Sequence, residues 1–187
     1  ILFFYTNIFN FDQTNKSMPY SYSLFKDEVK KHLVDYIPST HIILDVGPGV
    51  GTYGSMMKDT HSIDALEIFE PYVDNFNLRE IYNKVIIGDI CQFDFHVYNY
   101  LILGDVLEHI PVDKAIALVD KINALGKKCL IAVPYLYEQG EWYGNVHETH
   151  YQPDLTHELF TRRYPAMRVL YKDDNYGYYV NYKTSLS

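Results

Sequence analysis

The segment that most constrains this chain is a glycine loop at the end of an apolar run. Residues 42–46 (IILDV) lead directly into Gly47-Pro48-Gly49-Val50-Gly51. A short apolar run closed by glycines reads as a buried strand, and residues 50–59 beyond it read as a helix. Glycines at such a junction let the backbone turn sharply and let a ligand come close to it. The free amides of the helix N-terminus alongside suit a nucleotide or a carboxylate.

The rest of the chain repeats the same alternation. A helix is predicted over residues 24–37, capped by Ser23 and stopped by Pro38. Strands are predicted at 62–67, 84–88, 99–104 and 127–133, with Pro71 in the first turn of a helix and an amphipathic helix over 112–124. This order argues for a mostly parallel sheet covered on both faces. The end departs from it. After a helix at 153–163, two strand-like runs at 167–172 and 177–183 flank Asp173-Asp174-Asn175-Tyr176, the pattern of an antiparallel hairpin. A length of 187 residues with 48% apolar and 21% charged composition suits one globular domain. That domain is placed at residues 18–187, with 1–17 an extension. Residues 134–152 form a long loop rich in Tyr, Glu and His, and long loops in compact domains commonly carry function.

Two frames fit the glycine loop. Gly49-Val-Gly51-Thr-Tyr-Gly54 matches the GxGxxG pattern of dinucleotide binders, although Gly47 and Pro48 already interrupt the chain before it. In the other frame Asp45 ends the strand and the pattern is DxGxGxG. That frame resembles motif I of class I S-adenosylmethionine (SAM)-dependent methyltransferases. The resemblance extends to Glu67 at the end of the second strand, to Gly88-Asp89-Ile90 after the third, and to Asp105-Val-Leu-Glu-His-Ile-Pro after the fourth. It implies an α/β, doubly wound, seven-stranded sheet of order 3-2-1-4-5-7-6 with a C-terminal antiparallel hairpin. It also implies SAM contacts from Asp45, Gly47, Gly49, Gly51, Glu67, Asp89, Ile90 and Asp105. Asp45 would order the loop, Glu67 would accept from the ribose hydroxyls, and Asp89 and Ile90 would meet the adenine. A carboxylate at position 67 would equally serve a nicotinamide cofactor.

Asp105, Glu108 and His109 share one face if they begin a helical turn. Asp105 as N-cap with Glu108 at N3 would be a capping box. The same groups could supply a base beside the methyl donor or bind a divalent cation such as magnesium. The sequence is similar here to metal-dependent O-methyltransferases, including small-RNA 2′-O-methyltransferases, that carry an acidic-x-x-Glu-His motif. That similarity implies a metal set of Asp105, Glu108, His109 and His147. His109, His147 and His150 are the candidate catalytic residues, since an imidazole titrates near neutral pH. Tyr135, Tyr137, Trp142, Tyr143 and Tyr151 could wall an acceptor pocket or simply cover the sheet edge. Gly54 is expected to pack a helix on the sheet.

Composition narrows the partner. A net charge of −8 argues against broad nucleic-acid binding, and no apolar run approaches the length of a bilayer span. Cys91 and Cys129 read as reduced residues of a cytoplasmic protein. The expected partner is a small-molecule acceptor, a sugar or other metabolite bearing a hydroxyl or amine. It would enter between the segment around Tyr20–Phe25 and loop 134–152. An RNA 2′-O-methyltransferase, a NAD-dependent oxidoreductase and a non-catalytic binding module are the alternatives.

Overall fold

The computed structural model describes residues 22–142 and 144–184; the expected extension at 1–17, Met18, Tyr20 and Tyr143 lie outside the described residues. Seven strands form one sheet: β1 (Ile42–Val46), β2 (Ser62–Glu67), β3 (Val85–Ile87), β4 (Tyr100–Gly104), β5 (Lys128–Pro134), β6 (Arg168–Lys172) and β7 (Tyr176–Val180). Their spatial order is β3-β2-β1-β4-β5-β7-β6. β1 to β5 pair in parallel, while β7 is antiparallel to both β5 and β6. This is the seven-stranded doubly wound arrangement expected above, with the C-terminal hairpin inserted so that β6 forms the edge.

Alternation along each strand decides which helices cover which face. Leu44, Val46, Leu101 and Leu103 point to one side, where they pack with Leu118 and Ile122 of α4 (Val112–Ala124) and Phe160 of α5 (His157–Arg163). Ile43, Ile63, Tyr100 and Ile102 point to the other. They meet Val29 and Leu33 of α1 (Lys26–Tyr36), Met57 of α2 (Thr52–Met57) and Val73 of α3 (Pro71–Asn75). With both faces buried, the central strands read as near-continuous apolar runs.

The helices are shorter than expected at several ends. α1 begins at Lys26, not Leu24, because Phe25 adopts a left-handed conformation (φ 63°) and no side chain caps the helix. Ser23 is therefore not the cap, and Leu24 is exposed. Pro38 does end the helix one residue after Ile37 turns extended. Residues 153–156 stay outside α5, whose start is fixed by the Thr156 hydroxyl accepting from the Leu159 amide at 3.1 Å. Cys91 and Cys129 are both free, with Cys129 buried and Cys91 half-buried. Among the described residues, no helix is long and apolar enough to cross a membrane.

Candidate active site

β1, β2 and β4 all end at the same edge of the sheet, where the chain order reverses between β1 and β4. Crevices at such a point are the usual ligand sites of open α/β sheets. Here it opens into a cavity of about 760 Å³. Its floor is the glycine loop: Gly47, Pro48 and Gly49 line it, with Glu67 from the end of β2 and Gly104 and Asp105 from the end of β4. Gly47 has φ +58°, and a Cβ there would lie 2.8 Å from Val106 Cγ2, so the loop needs glycine on both conformational and steric grounds.

The acidic groups are held by tyrosines. Asp45 is buried beneath the loop, where its Oδ2 accepts from the Tyr82 hydroxyl at 2.5 Å. The same hydroxyl accepts from the Gly54 amide at 3.2 Å. Gly54 is thus a close-approach residue, but against the Tyr82 ring instead of the sheet; a Cβ would stand 2.4 Å from that ring. Burial pushes the Asp45 carboxyl up to about 7, partly offset by the Tyr82 hydrogen bond and by the Lys26 ammonium. Lys26 is pulled down to about 8 by its own burial, and donates to the Tyr53 hydroxyl at 3.2 Å. Glu67 accepts from the Phe69 amide at 2.7 Å and is likewise pushed up to about 7 by burial.

Asp105 departs from the capping-box expectation. It has φ 57°, and the short 3-10 turn that follows it, Leu107–His109, is preceded by Val106 with no side-chain cap. Its carboxylate instead accepts from the Tyr176 hydroxyl on β7 at 2.6 Å. Glu108 therefore points inward: it is 1% exposed, and neither carboxyl oxygen has a hydrogen-bond partner among the described residues. Burial and the nearby Asp105 drive its carboxyl well above the ordinary range.

Loop 134–152 folds across the mouth of the cavity. Tyr135, Leu136, Tyr137 and Gln139 line it, together with Tyr22 and Ser23 from the opposite side. Its second half carries a 3-10 turn at Val146–Glu148, capped by the Asn145 side chain accepting from the His147 amide at 3.0 Å. Glu148, unremarked in the sequence, accepts from the Tyr72 hydroxyl at 2.9 Å and lines the cavity. His109 and His150 stand edge to face with ring centroids 4.6 Å apart. Burial and the neighbouring His150 press His109 down to about 4.

The structure groups the expected site residues unevenly. Gly47, Gly49, Glu67, Asp105, Glu108 and His109 line one cavity, as do His147 and His150. Asp45 and Gly51 lie behind the loop and are not part of the lining. Asp89 and Ile90 are not in it either. Asp89 closes its own turn, accepting from the Cys91 amide at 2.8 Å, and Ile90 is 5% exposed within the core. The expected metal set is regrouped as well. The donors that come together, within 4.8 Å of one another, belong to Glu108, His109 and His150, without Asp105 or His147. Trp142 and Tyr151 do not line the cavity, whose aromatic wall draws instead on Tyr22, Tyr53, Tyr72 and Tyr176. Those tyrosines are scattered along the sequence, and only the topology brings them to one place.

No family model matches the chain, and no curated protein sequence matches it. Solved structures do. The PH0226 protein from Pyrococcus horikoshii OT3 superposes with a TM-score of 0.61 at 12% identity, covering 82% of this chain and 87% of that one. The 1,6-didemethyltoxoflavin-N1-methyltransferase of Burkholderia thailandensis was solved with 1,6-didemethyltoxoflavin and S-adenosylhomocysteine bound. It gives a TM-score of 0.58 at 16% identity over 82% of this chain and 74% of that one. PigF, solved with S-adenosylhomocysteine, gives 0.56 at 16% identity over 81% of this chain, which spans 60% of the PigF length. With its strand order, inserted hairpin and glycine loop at the switch point, the chain has the fold of the class I SAM-dependent methyltransferases.

Proposed function

We propose that this chain is a SAM-dependent methyltransferase acting on a hydroxyl or amine of a small molecule, a sugar or other metabolite. The observation that carries the reading is the charge of the cavity. Its lining carries the acidic groups of Asp105, Glu148 and Glu67, the last ionising near neutral pH, and among the described residues neither lysine nor arginine; Glu108 also lines it, held neutral by its burial. A dinucleotide would bring an anionic pyrophosphate into this field, and RNA a phosphate backbone; both are repelled. SAM brings a sulfonium and an ammonium, and both are attracted. The glycine loop and the bound S-adenosylhomocysteine of the two methyltransferase-fold neighbours point the same way.

When bound, SAM supplies a methyl group on an electron-poor sulfur. The residues assigned to hold it are Asp45, Gly47, Gly49, Gly51, Glu67 and Asp105. Asp45 and Gly51 act from behind the loop, Gly47 and Gly49 give the backbone its close approach, and Glu67 accepts from the ribose. Asp89 and Ile90 are assigned to the adenine end, which requires the turn after β3 to open toward the ligand. Tyr22 and loop 134–152 exclude water and orient the acceptor, and alignment supplies much of the rate enhancement in such transfers. His109, held neutral by burial, and His150 present acceptor nitrogens to the cavity. His147, exposed at the rim, takes the proton that the acceptor loses.

The reading is tested with radiolabelled SAM and a panel of small hydroxyl- and amine-bearing acceptors. Label transfer that falls about 100-fold in kcat for His147→Ala, with KM little changed, would agree with this assignment. Binding of NADH with no binding of SAM would contradict it.

A further inference from the structure

The methyl donor assigned to the cavity carries a carboxylate as well as its sulfonium and ammonium, and among the described residues the lining offers neither lysine nor arginine to receive it. We propose that Lys26 and Tyr53 form the subsite for that carboxylate, at the amino-acid end of the donor. The inference rests on the methyltransferase reading and adds two residues to the site.

Tyr53 follows the glycine loop on α2, and its ring packs on the end of β4. A Cβ on Gly104 would stand 2.3 Å from that ring and 3.1 Å from its hydroxyl. Tyr53 and Gly104 both line the cavity, with Asp105 next to them. Lys26, in the first turn of α1, is one hydrogen bond removed from this lining. Its ammonium donates to the Tyr53 hydroxyl at 3.2 Å and lies over the rings of Tyr53 and Tyr178, 4.4 and 5.4 Å from their centroids.

This arrangement is that of an anion site awaiting its anion. An ammonium has three protons to donate, and Lys26 places one on a neutral hydroxyl; among the described residues it forms no ion pair. Withdrawing a cation from water without an anion is costly, and a carboxylate beside it relieves that cost. The Tyr53 hydroxyl accepts from Lys26, which leaves its own proton for an acceptor that no described residue supplies. Asp105 and Asp45 both act on Lys26 through their charge, so groups of both signs meet at this end of the cavity. An α-amino acid needs that pairing. Its ammonium would face the carboxyl groups, and its carboxylate would accept from Tyr53 within the field of Lys26. Away from bulk water such a field acts more strongly than at an exposed surface. Lys26 is in these terms a positioning residue, which orients the Tyr53 hydroxyl and supplies the charge behind it.

The experiment is calorimetric titration of the full chain with S-adenosylhomocysteine and with 5′-methylthioadenosine, which keeps the adenosine and the sulfur but lacks the amino-acid end. Both are repeated on Lys26→Met and Tyr53→Phe, and circular dichroism melts establish that each variant folds. The parent should bind S-adenosylhomocysteine more tightly than 5′-methylthioadenosine. Each substitution removes a charged or charge-assisted contact to the carboxylate, so each should weaken S-adenosylhomocysteine by about 10-fold or more. Binding of 5′-methylthioadenosine should stay as it is, because that ligand has no carboxylate to lose. Substitutions that weaken both ligands alike would assign Lys26 and Tyr53 to the packing of α1 and overturn the proposal. Equal affinity of the parent for the two ligands, or S-adenosylhomocysteine binding that survives both substitutions in folded protein, would overturn it too, and in those cases the methyltransferase reading stands. A folded parent that binds neither SAM nor S-adenosylhomocysteine would sink that reading and this subsite with it.

Discussion

At the scale of single residues, the candidate site depends on contacts that a conservative change removes. Gly47→Ala would put a side chain into a left-handed conformation and against Val106, costing about 1–2 kcal/mol for the conformation alone. The account predicts a lower melting temperature by differential scanning calorimetry and weaker SAM binding; a variant that binds SAM as the parent does would remove the loop from the site. Tyr82→Phe leaves the buried Asp45 carboxyl without that donor and the Gly54 amide without that acceptor. Bonds to a charged buried group contribute about 1.5–3 kcal/mol, so urea unfolding should show a loss of that order. Tyr82 carries no motif of its own. Nothing in the sequence ties it to Asp45, because the pairing exists only once the segment after α3 has packed against α2.

At the scale of elements, the strands were legible and the turns were not. IILDV, SIDALE and NYLILG are apolar runs bounded by polar residues or glycine, and burial on both faces leaves them few ways to fold. β1 and β2 coincide with the predicted spans. The turn after β4 could not be read the same way. Its capping-box pattern is present in the sequence, but Asp105 takes a left-handed conformation and Tyr176, from β7, claims its carboxylate. The choice between His147 and His150 as the partner of Glu108 and His109 was equally hidden. It depends on how loop 134–152 closes: the Tyr151 amide donates to the Glu108 carbonyl at 2.8 Å and fixes His150 beside that turn. The start of α5 was not legible either: the helical pattern runs from residue 153, whereas the side chain that caps the helix is Thr156. Thr156→Ala removes the hydroxyl that fixes the start of α5, and should cost about 1 kcal/mol in chemical denaturation; no measurable change would mean that packing of Phe160 alone sets that end.

At the scale of the whole molecule, folding draws several carboxyl groups to one sheet edge and shields them from water. Asp45 and Glu67 rise to about 7 from ordinary values of 3.8 and 4.5. Between about pH 4 and pH 7 the folded chain therefore keeps protons that the unfolded chain has released. Their contribution to stability is complete below about pH 4, declines as pH rises through that window, and is lost above about pH 7. Thermal melts of the ligand-free protein should thus fall from pH 5 to pH 8, and Asp45→Asn should flatten that fall. A cationic ligand favours the ionised carboxylates, so SAM should raise the melting temperature more at pH 8 than at pH 6. A shift independent of pH would mean that these groups do not meet the ligand.

The measurement that bears most directly on the central claim is calorimetric titration of the chain with SAM, S-adenosylhomocysteine and NADH, repeated on Asp45→Ala and Glu67→Ala. The account predicts micromolar binding of SAM and its demethylated product, strong weakening by both substitutions, and no heat from NADH. Folded protein that binds neither SAM nor S-adenosylhomocysteine would contradict it.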